Sequence, residues 1–193
     1  MARRVAIAGT LAVMVLFAAT VFVARRGFPA VSRTTTARSA APAAAAPVPA
    51  PPGRKIKARL FYVSEDGTRL TGVERDVPYG DGAAAQAQEI IKAQLAPPAA
   101  PLLSALPAGT TLRALYLTSN GAAYVDLSRE VVNAHSGGSL DEMLTIYSIV
   151  NALTMNLPAV TSVQVLVDGK EVDTLAGHVD LRRPLTKNVS WVE

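Results

Sequence analysis

The chain of 193 residues contains no cysteine. A disulfide framework, a thiolate metal site and a lipidated-cysteine anchor are therefore not expected from this sequence, while the compartment stays open. Histidine is nearly as scarce. His135 and His178 stand far apart, with no second histidine near either, so neither pattern resembles a metal-ligand spacing and no metal or cofactor is expected. Acidic residues are missing altogether from residues 1–59, which carry ten arginines and lysines. That leaves nine of the nineteen basic residues against all fifteen acidic ones in residues 60–193. The sequence pI of about 9.6 thus belongs to the N-terminal stretch, and the remainder is acidic. A duplex-binding domain needs a basic face to displace counterions from phosphates, so nucleic acid is not an expected partner. No serine sits in a Gly-x-Ser-x-Gly elbow.

What is present divides into three parts. Residues 1–24 hold a short basic tail and the charge-free run Val5–Val23, flanked by Arg3-Arg4 and Arg25-Arg26. At about 1.5 Å per residue this run spans a hydrocarbon core. It exceeds the apolar region of a signal peptide, and its cleavage-site candidates carry Phe17 or Phe22 at the −3 position. An uncleaved anchor is favoured over a signal peptide. The expected localisation is single-pass in the cytoplasmic (inner) membrane, with the C-terminal domain outside the cytoplasm, although arginines flank both ends of the span. Residues 25–53 are an Ala/Pro-rich linker that cannot bury a core. Residues 54–193 are the expected globular domain.

Within that domain, Ile56–Val63 and Leu70–Val77 are predicted strands joined by Glu65-Asp66-Gly67. Asp81 is placed to cap a helix running to about Ala96, with Ala87, Ile90, Ile91 and Leu95 as its apolar stripe. Leu102–Leu106 is expected to contain a helical turn. Asn120-Gly121 suits a two-residue type I′ hairpin turn, which would pair Thr118 with Ala123, Tyr116 with Val125 and Ala114 with Leu127. That register puts Leu115, Leu117 and Tyr124 on the outer face, too apolar for solvent. Either the C-terminal segment covers them or they form a contact surface, self-association included. Ser128 is placed to cap a short turn at Arg129–Asn133, with Leu127 and Val132 as its hydrophobic staple.

Ser139-Leu-Asp-Glu142 reads as a capping box opening the principal helix. Leu140, Met143, Leu144, Tyr147, Val150, Leu153 and Thr154 form its apolar stripe, and Pro158 stops it. The alternation Val163, Val165, Val167 before Asp168-Gly169 marks a strand, with a return strand at Glu171–Leu175. The order of elements predicts an α+β fold, two helices packed on one face of a mainly antiparallel sheet.

Five ordered segments carry a family resemblance: Leu106-Pro-Ala-Gly-Thr110, Ala123-Tyr-Val-Asp-Leu-Ser128, Ile149-Val-Asn-Ala-Leu-Thr154, Val163-Gln-Val-Leu-Val-Asp-Gly169 and Gly177-His-Val-Asp180. Over about residues 55–187 the chain resembles a GerMN domain, the module named for a spore-germination and sporulation lipoprotein. The resemblance implies a non-catalytic, membrane-attached envelope module whose partner is an envelope protein complex or peptidoglycan. It differs from the namesake in having one copy and an apolar span where the namesake has a lipidated cysteine. The alternatives are an accessory subunit that positions a peptidoglycan amidase and, weakest, a hydrolase.

Residues able to carry chemistry are few. Ser128, His178 and Asp126 could formally make a nucleophilic triad, but no nucleophile elbow supports it. Asp141-Glu142 lie in a helix's first turn, where the macrodipole accounts for them. Asp126, Asn151, Thr154 and His178 remain as ligand-binding candidates. Against these stand bland roles: an amide serving loop backbone for Asn151, a bond back into its own helix for Thr154, and a structural hydrogen bond for His178.

Overall fold

The computed structural model describes residues 53–193. The apolar span 5–23 and the linker up to residue 52 lie outside the described residues. Among the described residues no helix is long and apolar enough to cross a membrane.

The chain begins with an antiparallel hairpin, β1 (Lys55–Val63) and β2 (Leu70–Pro78), in the predicted place. Helix α1 (Ala83–Leu95) follows. Then come β3 (Leu112–Leu117), β4 (Ala122–Leu127), the short α2 (Glu130–Asn133) and the long α3 (Ser139–Asn156). The chain closes with β5 (Ser162–Val167) and two short strands, β6 (Lys170–Glu171) and β7 (Leu185–Thr186). A five-stranded sheet runs β3-β4-β5-β6, with β7 also on β5. Only β4 and β5 are parallel, because α3 carries the chain back between them. β1 and β2 make a separate two-stranded sheet. Both helices touch both sheets: α1 packs on β3 and on β1 and β2, and α3 on β1 and on β5 and β7. The α+β class stands, with the first hairpin apart from the main sheet rather than extending it.

Helix α3 is buried on more than a stripe. Leu144, Ile146, Ile149, Val150, Ala152 and Leu153 are all inaccessible, while Leu140, Met143 and Tyr147 are half-buried. That is the behaviour of a helix enclosed between two layers. It stops at Pro158 as expected, with Leu157 in extended backbone.

The second hairpin departs from its predicted register by one residue. Leu117 pairs with Ala123, Tyr116 with Tyr124 and Leu115 with Val125, and a bulge at Arg113 then sets Leu112, rather than Ala114, opposite Leu127. Gly121 alone takes positive φ, and Thr118 closes the loop by donating its amide to the Ala122 carbonyl at 2.9 Å. A type I′ turn needs positive φ at both central residues, and Asn120 is not there. Its side chain instead meets the Thr118 hydroxyl. The slip moves Leu115 and Leu117 to the inner face, and Leu115 is only 4% exposed. Tyr116 goes outward at 62%. Burying one leucine contributes about 1.5–3 kcal/mol, so the apolar pattern sets the register and the loop conforms to it. The two-residue positive-φ turn is found instead at Asp168-Gly169, with φ of 50° and 75°.

Gly121 is tightly held. Its carbonyl accepts the Thr161 amide at 2.9 Å, and a Cβ built there would lie 3.0 Å from the Ala159 carbonyl. Gly121→Ala is expected to cost about 1–3 kcal/mol, read as a lower thermal midpoint, because strain at positive φ adds to that contact. An unchanged midpoint would show that the loop relaxes freely.

Four further expectations are corrected. Asp81 does not cap α1: the cap position is Gly82, with no side-chain hydrogen bond. Ser139 does not form a capping box, since Gly138 precedes α3 and Glu142 turns elsewhere. Leu102–Leu106 is not helical, because Leu103 exchanges backbone hydrogen bonds with Val63 at 2.8 and 3.1 Å. The return strand shrinks to Lys170–Glu171.

Candidate functional site

A cavity of about 280 Å³ lies between the Leu103–Pro107 segment and the α2–α3 junction. The Leu103–Val63 bridge holds one wall extended. Leu106 and Leu144 supply an apolar floor, and Leu103, 57% exposed, forms the rim. On the far wall, Ser136 donates its hydroxyl to Asp141 at 2.8 Å.

His135 is fixed by its hydrogen bonds. Its Nδ1 accepts the Gly137 amide at 3.0 Å, so Nδ1 carries no proton. Thr145 gives its hydroxyl proton to the Ala105 carbonyl at 2.6 Å, which leaves its oxygen to accept Nε2–H of His135 at 3.3 Å. The network thus assigns the tautomer with its proton on Nε2. Both ring nitrogens are engaged, and neither can take a substrate proton without breaking a bond that shapes the wall.

The sequence-selected residues lie outside this cavity, and no hydrogen bond joins one to another among the described residues. Asp126 is buried on β4 and accepts the Gly169 amide at 2.7 Å, with Arg113 Nε 3.8 Å from its other oxygen. Arg113 and Arg129 converge on Asp168 at 2.7 and 3.0 Å. The Arg129 hydrogen bond, helped by Arg113, holds the Asp168 carboxyl below the usual carboxylate range. Asn151 grips the backbone of Asn188 with both ends of its amide, at 2.7 and 3.0 Å. Thr154 donates to Val150 in its own helix at 2.7 Å. His178 Nδ1 lies 3.3 Å from Glu142. Ser128 accepts the Thr111 amide, and no hydrogen bond joins it to His178 or Asp126. Leu115 is in the core, while Leu117 and Tyr124 are half-buried. Among the described residues no group of three or more His, Asp or Glu side chains is gathered as a metal site would require.

Sequence reasoning missed where the buried polar groups point. Glu142, fully buried, accepts the amides of Leu175, Ala176 and His178 at 2.7, 3.0 and 2.8 Å. Burial alone would push its carboxyl up. Together with Val179, these amides outweigh that and hold it below the ordinary value. Gln94 of α1 matches Phe61 on β1, accepting its amide at 2.9 Å and donating to its carbonyl at 2.6 Å. Asn156 of α3 does the same for Arg59, at 2.8 and 2.7 Å. Gln86 ties Gly80 to Pro78. Every such amide replaces the neighbouring strand or loop that the backbone would otherwise need. Gln86 reaches only 6 and 8 residues back, but no local sequence signal announces the partners of Glu142, Gln94 and Asn156, which lie 33 to 97 residues away.

These features define a small α+β module whose buried polar groups serve its own backbone. The chain belongs to the Germane family, described as sporulation and spore germination, which it matches over residues 59–173. The fold resembles the crystal structure of a candidate lipoprotein from Clostridium perfringens, at 24% identity and a TM-score of 0.50, covering 70% of this chain and 89% of that one. It also resembles the tandem GerMN domains of the sporulation protein GerM from Bacillus subtilis, at 19% identity and a TM-score of 0.54. That match covers 69% of this chain and 46% of the tandem, so this chain spans just under half of the neighbour's length. No curated protein matches the chain.

Proposed function

We propose that the protein is a non-catalytic envelope module, held at the membrane, that binds a protein partner in cell-envelope or sporulation-type assembly. The observation that carries this is the family match over residues 59–173. The inward use of the polar side chains supports it: Glu142, Gln94, Asn151 and Asn156 are occupied by the chain's own backbone, and His135 by the wall it belongs to. Membrane attachment draws on the apolar run Val5–Val23 and on the lipoprotein description of one structural neighbour.

The test is a crosslinking pulldown from intact cells with the full chain, beside an unrelated protein carrying the same membrane segment. Enrichment of defined envelope proteins over that control is the expected result. Equal recovery in both samples, or turnover of a substrate by the purified chain, would overturn the proposal. Sedimentation with purified cell wall, without protein capture, would instead identify peptidoglycan as the ligand.

A further inference from the structure

The two edges of the β1–β2 hairpin are treated differently. Hydrogen bonds between Tyr79 and Arg54 at one end and Ser64 and Arg69 at the other set the ladder's phase. The even-numbered residues of β1 therefore bond to odd-numbered residues of β2. The odd residues of β1 face outward, and all three in its second half are satisfied: Arg59 by Asn156, Phe61 by Gln94 and Val63 by Leu103. On β2 the outward residues are the even ones. Leu70 is taken by Trp191 and Glu193 at 2.7 and 3.0 Å. Pro78 has no amide hydrogen, and its carbonyl accepts from Gln86 at 3.1 Å. Between these two stops, the outward amides and carbonyls of Gly72, Glu74 and Asp76 have no partner among the described residues. Donors and acceptors thus repeat about every 7 Å along an open strand edge, the spacing of an extended backbone.

We propose that this edge of β2 takes an extended segment of a partner protein as an added strand, with lysine or arginine opposite Glu74. Charge favours such a partner. Glu74 and Asp76 are exposed on the edge, and the Glu193 carboxylate accepts from Thr71 at its near end. Lys57 meets Asp76 at 2.7 Å, whereas Glu74 forms no ion pair among the described residues. A second copy fits less well, since the antiparallel register that overlays the two open stretches sets Glu74 against its own counterpart. Half-buried Val73 suits an apolar residue at the intervening position. The reach is short, because Trp191–Glu193 blocks the edge at Leu70.

This rests on the protein-binding reading above, and the test separates the two. The full chain in detergent is mixed with a short peptide alternating lysine and valine, and backbone amide exchange is followed residue by residue. The expected result is slowing of about tenfold or more at Gly72, Glu74 and Asp76, with Val73 and Arg75 already protected. Glu74→Pro removes one outward donor and leaves the β1-facing amides intact. It should abolish the slowing without changing the circular dichroism spectrum. Glu74→Lys keeps the backbone edge and should shift preference to a glutamate–valine peptide. Equal binding by a peptide N-methylated on its pairing edge would overturn the proposal, since charge alone would then account for it. Concentration-dependent protection without any peptide would also overturn it, with a second copy as the occupant. If Glu74→Pro still captures the cellular partners, the edge assignment falls and the binding module stands. If the lysine peptide docks but no cellular partner is found, the edge stands and the assembly role falls.

Discussion

Glu142→Gln is expected to lower stability at neutral pH by about 2–4 kcal/mol, reckoned at about 1–3 kcal/mol per buried group left unpaired together with the loss of a charge-assisted acceptor. The carboxylate receives three amides through two oxygens, Leu175 and Ala176 on one and His178 on the other. A glutamine keeps one accepting oxygen and turns an NH₂ toward the remaining donor. The Leu175–Val179 loop would lose its anchor to α3, and Leu175 and Val179, both buried, would loosen with it. The effect depends on pH in a defined direction. Amide hydrogen bonding holds the folded carboxyl below its ordinary value of 4.5, so its contribution is complete above that value. It is lost as the pH falls through the depressed folded value. Thermal midpoints measured from pH 7 downward should therefore differ widely between wild type and variant at neutral pH and converge in acid. A gap that persists undiminished in acid would show that packing, not charge, explains the loss.

Gln94→Met should be comparably damaging, although the side chains have nearly the same shape. Gln94 is fully buried, and its amide is the partner of both the Phe61 amide and the Phe61 carbonyl. Methionine strands both groups, at about 1–3 kcal/mol each, so a loss of about 2–5 kcal/mol is expected. Hydrogen exchange at the Phe61 amide gives the specific readout. It should accelerate in the variant more than exchange at Leu60, whose amide faces β2. Equal acceleration at both positions would mean that the whole hairpin, rather than its outer edge, had been released.

Both cases show where the sequence was legible. The β1–β2 hairpin, the ends of α3, β5 and the Asp168-Gly169 turn follow from periodicity, proline and glycine, because those signals act within a few residues. The second hairpin shows two local signals in conflict. Asn120-Gly121 argued for one register, and Leu115 with Leu117 argued for the next. Burial of leucine outweighed the preference of a dipeptide, so the apolar count on each face was the better guide. Glu142 is the harder case. Ser139-Leu-Asp-Glu142 fits a capping box, yet the carboxylate serves a loop that arrives more than thirty residues later. Gln94, Asn151 and Asn156 are equally silent, since a buried amide and a solvated one look alike in sequence. What they hold becomes visible only once remote backbone is brought beside them.

The amides along β1 also carry a consequence for how the chain comes to be folded as it is made. Ribosomes deliver the first hairpin early, but Gln94 follows Phe61 by 33 residues and Asn156 follows Arg59 by 97. Thr71 waits longer still, for Glu193, 122 positions on. The nascent hairpin thus keeps its β1 edge only partly met after α1 has emerged, and the last turn of α3 must follow before that border is closed.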